Sequence, residues 1–423
     1  MGRGSHGATP GGRRRPVSQT KTVQPPNGGA AQQGNDLFRK ITQGPGMVSV
    51  LGVIVALVIG GLLIAVTDEK VIKTAGYFFA RPTDFLSALW HAGTESYVAL
   101  FNGSIYNSAR GFAPFLETLT VSTPLICAGL GVALAFRAGL FNIGAQGQII
   151  IGATMAAYAG FAWHLPIVLH LLVVIIFGLL GGAIWGGLVG VLKARTGAHE
   201  VILTIMFNYV ALYLLDYLMN TAAFRRPGGT NPISPVLDST AVFPALPGSR
   251  LHLGFLMAIA LTIFVAWLLK RSTLGFELRA VGHNPAAAQT AGVNVARATM
   301  LAMALAGALA GAAGVAQVAG TEKVLTAGIA GSLGFDAITV ALLGRSTPWG
   351  TFFAGLLFGA FRAGAVNMQI STGTPIDIVL VVQSLIVLFI AAPPLVKAIF
   401  GLNKKKRARA ASSKRPVSTK AGA

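Results

Sequence analysis

Charged side chains are scarce in this chain, and cysteine is nearly absent. Asp, Glu, Lys and Arg make up 11% of its 423 residues, less than half of the roughly 25% usual in soluble domains. Hydrophobic residues make up 53%, and the mean hydropathy is +0.67. A folded soluble chain of this composition would have too little polar surface to face water, which excludes a large soluble enzyme. The lone cysteine, Cys127, sits inside an apolar run. It has no partner for an intrachain disulfide or a metal site, and it reads as packing. No Gly-Lys dipeptide occurs, so the chain has no GxxxxGK[ST] phosphate loop; if ATP drives this protein, another subunit must hydrolyse it. HExxH, CxxC and GxSxG patterns are missing too, which leaves no catalytic motif to pursue.

The chain has instead many apolar runs of bilayer length. Windows of about 20 residues identify ten: 47–66, 119–136, 143–162, 166–192, 201–220, 253–269, 299–319, 325–343, 349–368 and 376–399. The expected fold is an all-α polytopic membrane protein with about ten transmembrane helices over residues 47–399. Basic tails flank it at 1–46 and 400–423, and their composition marks them as disordered. The first run reads as a retained span, because the Pro- and Gly-rich stretch before it is long for a signal peptide and no small-residue cleavage pattern follows.

The net charge of +20 is concentrated at the ends: of 33 Lys and Arg, seven precede Met47 and nine lie from Lys397 onward. No aromatic residues interleave these runs, so they suit anionic lipid and cytoplasm and do not suit nucleic acid. An even span count puts both termini on one side. With that side cytoplasmic, 24 of the 33 basic residues are cytoplasmic and eight lie in outer loops, as the positive-inside rule asks. Arg362 lies within a span. Two outer segments are long, 70–117 and 221–252. The second is irregular, rich in Pro and Gly, and a place for a partner to dock.

Two features interrupt the apolar pattern. The run Arg137-Ala-Gly-Leu-Phe-Asn-Ile-Gly-Ala-Gln-Gly-Gln148 puts three glycines and several amides at membrane depth, where such groups need protein partners or a wet cavity. The segment 270–298 is the longest internal cytoplasmic loop. In it Asn284 can cap a short helix, Pro285 suits its first position and Gly292 can end it. That helix is either a solvated connector or a contact for a soluble partner. Gly178, Gly182, Gly186 and Gly190 recur every four residues, as do Gly307 with Gly311 and Gly355 with Gly359. Such stripes let helices approach closely and point to a compact bundle.

The run from Ala135 to Gln148 resembles the signature of ABC-importer permeases of the simple-sugar and nucleoside type. The wider superfamily includes ribose and branched-chain amino acid permeases. Three further blocks agree in order: His199 to Tyr209; Leu278 to Ala288 with Ala291 to Val293; and Gly334 to Arg345. The likeness covers roughly 119–399. It departs at Gln146, where the family most often has Glu. The resemblance implies a multi-pass transport subunit of a bacterial plasma membrane, both termini cytoplasmic, with no ATPase site and no cofactor of its own. It further implies a second, related permease, two ATP-binding subunits that use ATP and Mg, and an extracytoplasmic substrate-binding protein. Arg279, Gly282, Asn284, Pro285, Ala286, Ala287, Ala288 and Gly292 would form the loop that couples to the ATPase. The spans would form two inverted halves, two to five and seven to ten.

Neutral polar side chains along a path between such halves suit a neutral hydroxylated substrate. The candidates are Asn142, Gln146, Gln148, Asn208, Asn367 and Gln369, with Asp336. Each either meets substrate or bonds a broken helix end. Phe141 and Tyr209 either stack on a base or pack. The form Phe-Asn-Ile-Gly-Ala-x-Gly-Gln is closer to the nucleoside branch, so nucleosides are the expected substrate and simple sugars the alternative. The rival mechanism is an ion-driven secondary transporter of small polar solutes. That would need intramembrane acids in a relay, and Asp336 is the one acid placed deep.

Overall fold

The computed structural model describes residues 45–399 except residue 230, so the two basic tails, apart from the last two residues of the first, lie outside the described residues. In chain order the helices are α1 (Pro45–Thr67), α2 (Glu69–Ala75), α3 (Pro82–Ser104), α4 (Ala113–Arg137), α5 (Ala145–Ala162), α6 (Ile167–Thr196), α7 (Glu200–Met219) and α8 (Gly254–Arg271). Then follow α9 (Thr273–His283), α10 (Pro285–Thr290), α11 (Val295–Val315), α12 (Leu333–Leu343), α13 (Pro348–Thr372), α14 (Ile376–Ala391) and α15 (Pro393–Ile399). α11 runs on as a π-helix over Ala316–Glu322. The described residues hold no strand.

Every one of the ten expected windows contains a helix, but only six helices are long and apolar enough to cross a bilayer alone: α4, α6, α7, α8, α11 with its π-helical extension, and α13. The pair of α1 and α2 makes a seventh if it is taken as one span bent by 72°. The bend falls at Asp68, whose carboxylate accepts from the backbone N–H groups of Lys70 and Val71 and so starts a new helix. The expected eighth span, 325–343, is corrected: only Leu333–Leu343 is helical. The Thr326-Ala-Gly-Ile-Ala-Gly-Ser332 stretch is apolar on average, but its glycines disfavour a helix, and Gly331 has φ +45°. The outer segment 70–117 is largely helical, being mostly α2 and α3.

α4 is the axis of the bundle, with every residue from Ser122 to Ala135 buried. It has no polar face because protein surrounds it. α7 is the opposite case. Thr204, Asn208, Ala211, Leu215 and Met219 are buried at three- and four-residue spacing, while Ile202, Met206, Tyr209, Tyr213 and Tyr217 are exposed. An outward apolar and aromatic face of this kind suits lipid. The stripe from Gly178 to Gly190 and the pair Gly307 and Gly311 lie where α6 meets α11, while Gly355 and Gly359 face Ile126 and Ser122 of α4. A Cβ on Gly182 would fall 2.8 Å from Gly311 Cα, and one on Gly186 3.1 Å from Gly307 Cα. The backbones of α6 and α11 therefore touch directly, the geometry that small-residue stripes permit.

Candidate functional site

Two non-helical segments enter the bundle, one before α5 and one before α12. After α4 the chain turns through Gly139, with φ +73°, and begins α5 only at Ala145. The backbone groups of this break are answered by side chains. Asn142 Oδ1 accepts from Gly144 N at 2.9 Å, and its Nδ2 donates to Gln148 Oε1 at 3.1 Å. Asn208 on α7 accepts from Gly147 N at 2.8 Å and donates to the Ile143 carbonyl at 3.0 Å. Asn142 and Gln148 are 1% exposed and Asn208 8%. These three amides hold the start of α5.

The second segment, 323–332, opens at Lys323, itself at φ +59°. The loop 221–252 supports it: Ser234 N donates to the Leu325 carbonyl and Leu325 N to Ser234 Oγ, at 3.1 and 2.8 Å. The two breaks meet at Gln146. Its Nε2 donates to the Gly331 carbonyl at 2.6 Å, and its Oε1 accepts from Gly334 N at 2.9 Å. One neutral amide thus uses both ends to clasp the start of α12. A carboxylate could accept from Gly334 but would face the Gly331 carbonyl with no proton to offer, which gives Gln a physical reason at this position.

Beside this junction lies a cavity of about 1030 Å³, lined among others by Asn107, Glu117, Arg250, Arg362, Asn367 and Gln383. A pocket of about 210 Å³ adjoins it, with Thr120, Gln317, Thr321 and Leu333 in its wall. Glu117, Val121, Arg250 and Arg362 line both. Two ion pairs therefore stand at the boundary: Arg250 with Glu117 at 2.9 Å and Arg362 with Asp336 at 2.8 Å. Asn367 also donates to the Ala99 carbonyl of α3 at 2.7 Å. Gln383 Nε2 is buried without a partner.

At the other end of α4, the loop 270–298 folds as α9 and α10. Asn284 Oδ1 accepts from Ala287 N at 3.1 Å, Pro285 opens α10, and Gly292 has φ +86°. Pro285, Ala286 and Ala287 are exposed, and Ala288 is buried. Arg279 Nε donates to the Gly275 carbonyl of its own helix at 3.2 Å. Gly282 lies against Gly139: a Cβ on Gly139 would fall 3.0 Å from Gly282 Cα, and one on Gly282 would fall 2.9 Å from Gly139 N. The loop and the break before α5 are in backbone contact. Arg137 Nε donates to the Ser346 carbonyl at 2.7 Å, which ties the far end of α12 to the same place. Glu200 accepts from Lys193 Nζ at 2.6 Å and from Phe141 N at 3.4 Å, while the exposed Phe141 ring stacks on Phe136.

Residues 115–391 match the family described as the permease component of the branched-chain amino acid transport system. The chain belongs to this permease family. It is 38% identical over 365 residues, covering 86% of this chain and 97% of the relative, to the guanosine ABC transporter permease protein NupP of Bacillus subtilis. It is 34% identical over 322 residues to the nucleoside ABC transporter permease protein NupB of Lactococcus lactis, covering 74% and 88%. It is 34% identical over 289 residues to the glucose ABC transporter permease protein TsgB13 of Haloferax volcanii, covering 65% and 75%. No solved structure matches it.

Within the permease, the candidate residues fall into three places. Asn142, Gln148, Asn208 and Gln146 hold the two breaks; Asn367 lines the cavity and Asp336 pairs with a residue that does; Tyr209 is on the outer face of α7. Glu117, Arg250 and Gln383 are lining residues that the sequence reading did not single out. Glu117 and Arg250 become partners across 133 positions, which no local pattern reveals. Arg362 did carry a signal, as a basic residue deep inside an expected span.

The permease also buries a histidine behind Arg250. His252 is 3% exposed and stacks on Phe243; its Nδ1 accepts from Gly254 N at 3.2 Å, and its Nε2 has no partner. Burial first, and the Arg250 charge second, hold its pKa down at about 4. The unfolded chain takes up this proton near pH 6.5, so stability is complete above that pH and is lost as pH falls toward 4. Purified in detergent, the wild type is expected to lose about 3 kcal/mol over this window through this group. His252→Leu should flatten that part of the Tm-against-pH curve; an unchanged slope would remove His252 as its source.

Proposed function

We propose that this permease is the transmembrane subunit of an importer that moves nucleosides inward by alternating access, powered by separate subunits that use ATP and Mg. The observation that carries this reading is the backbone contact between Gly282 and Gly139. It joins α9, which leads directly into the exposed α10, to a broken element whose Gln146 grips α12 beside the cavity. A push on α10 is thereby handed to both breaks without crossing a flexible linker. In this reading Arg279, Gly282 and Asn284 to Ala288, with Gly292, present the docking surface for the ATPase. Asp336 is neutralised by Arg362, which weighs against a lone carboxylate acting in an ion relay.

The finer architecture follows the same logic. We take α1, α5, α12 and α14 as the remaining membrane elements, which makes ten, with both termini cytoplasmic. In the two halves α4 to α7 and α11 to α14, the second member begins after a non-helical break. α5 runs away from the loop end and α12 toward it, as an inverted repeat requires. A second, related permease would complete the path, and an extracytoplasmic binding protein would deliver substrate at the 221–252 side. The relatives named for guanosine and nucleosides favour nucleosides; the one named for glucose keeps simple sugars as the second reading.

Uptake of radiolabelled uridine, adenosine, ribose and glucose, with and without the gene, tests this. Nucleoside uptake should vanish in the knockout, and equally in a strain whose partner ATPase is inactive. Loss confined to a sugar would change the substrate, and uptake that survives ATPase loss would end the ABC reading.

A further inference from the structure

Arg362 is a guanidinium about 15 Å from the nearer end of α13, at 1.5 Å per residue. A charge at that depth is costly and by default marks a functional place. Its partner is Asp336 of α12. A purely structural pair would be sealed, but these side chains remain 30% and 22% exposed, and Arg362 lines both the large cavity and the adjoining pocket. The pair therefore faces the empty space.

A third group shows what the pair can hold. Ser332 Oγ donates to Asp336 Oδ2 at 2.9 Å and accepts from Arg362 Nη2. An alcohol oxygen thus sits between a carboxylate and a guanidinium with its donor and its acceptor both used. This is the arrangement a sugar hydroxyl needs, built from charge-assisted hydrogen bonds. The pair is neutral overall, so it grips a hydroxyl without selecting an ionised solute. Ser332 is exposed, lines the cavity and belongs to the non-helical segment 323–332, so its hydroxyl is the member free to be replaced.

We propose that Ser332, Asp336 and Arg362 form a hydroxyl-binding subsite on the transport path, which takes a ribose hydroxyl of the nucleoside and is filled by the Ser332 hydroxyl between substrates. The subsite rests on the nucleoside reading given above. An analogue lacking the hydroxyl cannot take the place of Ser332 between the carboxylate and the guanidinium, and so forgoes both charge-assisted hydrogen bonds.

The test compares uptake of uridine and 2′,3′-dideoxyuridine by the assembled transporter in cells, normalised to permease in the membrane. The wild type should prefer uridine by about tenfold or more, the factor for one hydrogen bond to a charged group. The double variant Asp336→Asn/Arg362→Gln, which removes both charges together, should lose most of that preference by losing uridine uptake. Ser332→Ala vacates the subsite and should lower the KM for uridine about threefold, with no change for the dideoxy analogue. Preference unchanged in the double variant, or a Ser332→Ala shift equal for both compounds, overturns the subsite. Should the double variant not accumulate, the Ser332→Ala comparison decides alone. A wild type that takes up no nucleoside overturns the substrate class instead.

Discussion

Gly282→Ala is expected to leave the permease inserted at normal abundance while cutting nucleoside uptake at least tenfold. A single methyl is enough because its neighbours are backbone: the added Cβ would fall 2.9 Å from Gly139 N and 3.0 Å from Ala138 C. Backbone atoms cannot rotate away as a side-chain tip can, so α9 must lift from the break before α5. Gly139 cannot absorb the shift easily, since its φ of +73° is already a conformation open to glycine and few others. α10 and its exposed face would survive, because its own cap at Asn284 is local. In the proposed assembly the ATPase would still dock, and ATP hydrolysis by the complex should persist while transport falls. Uptake and hydrolysis measured on the same membranes separate this from simple misfolding. Normal uptake at normal abundance would show that force does not pass through the Gly139–Gly282 contact.

The parts of this machinery that the sequence announces are those governed by local rules. Asn284, Pro285 and Gly292 punctuate α10 because a cap, a preset φ and a left-handed glycine act within a few residues. The run from Arg137 to Gln148 is legible as a break because amides and glycines at membrane depth demand partners. What those partners are is not legible. Asn208 reaches Gly147 from another helix, and Gln146 reaches Gly331 across 185 positions. The short α12 was hidden because a 20-residue average weighs Leu325 and Ile329 and ignores Gly328 and Gly331 beside them. The cavity was hidden most thoroughly. Glu117 and Arg250 look like loop charges until the fold faces them toward each other, and their pairing exists only in three dimensions.

The glycine seam yields the largest expected change in stability, and with it a sign test. Gly182→Ala on α6 should reduce folded permease in the membrane about tenfold or more. Its Cβ would meet Gly311 Cα and N, both at 2.8 Å, so α6 and α11 could fit only by separating along the seam. Overpacking of a well-packed core costs about 1–3 kcal/mol where side chains can yield, and here only backbone is available. Stabilities of about 5–15 kcal/mol leave little room for that. Five residues along the same helix, Gly187→Ala should do the reverse. Its Cβ would meet only Ala304 Cβ at 3.6 Å, an ordinary contact, and alanine is favoured over glycine in a helix by about 1 kcal/mol. The two substitutions are chemically identical and differ only in what the methyl meets. Abundance in membranes and Tm in detergent should therefore move in opposite directions. If both variants were destabilised alike, the effect would belong to helix flexibility, and the close contact of α6 with α11 would not be what holds the bundle together.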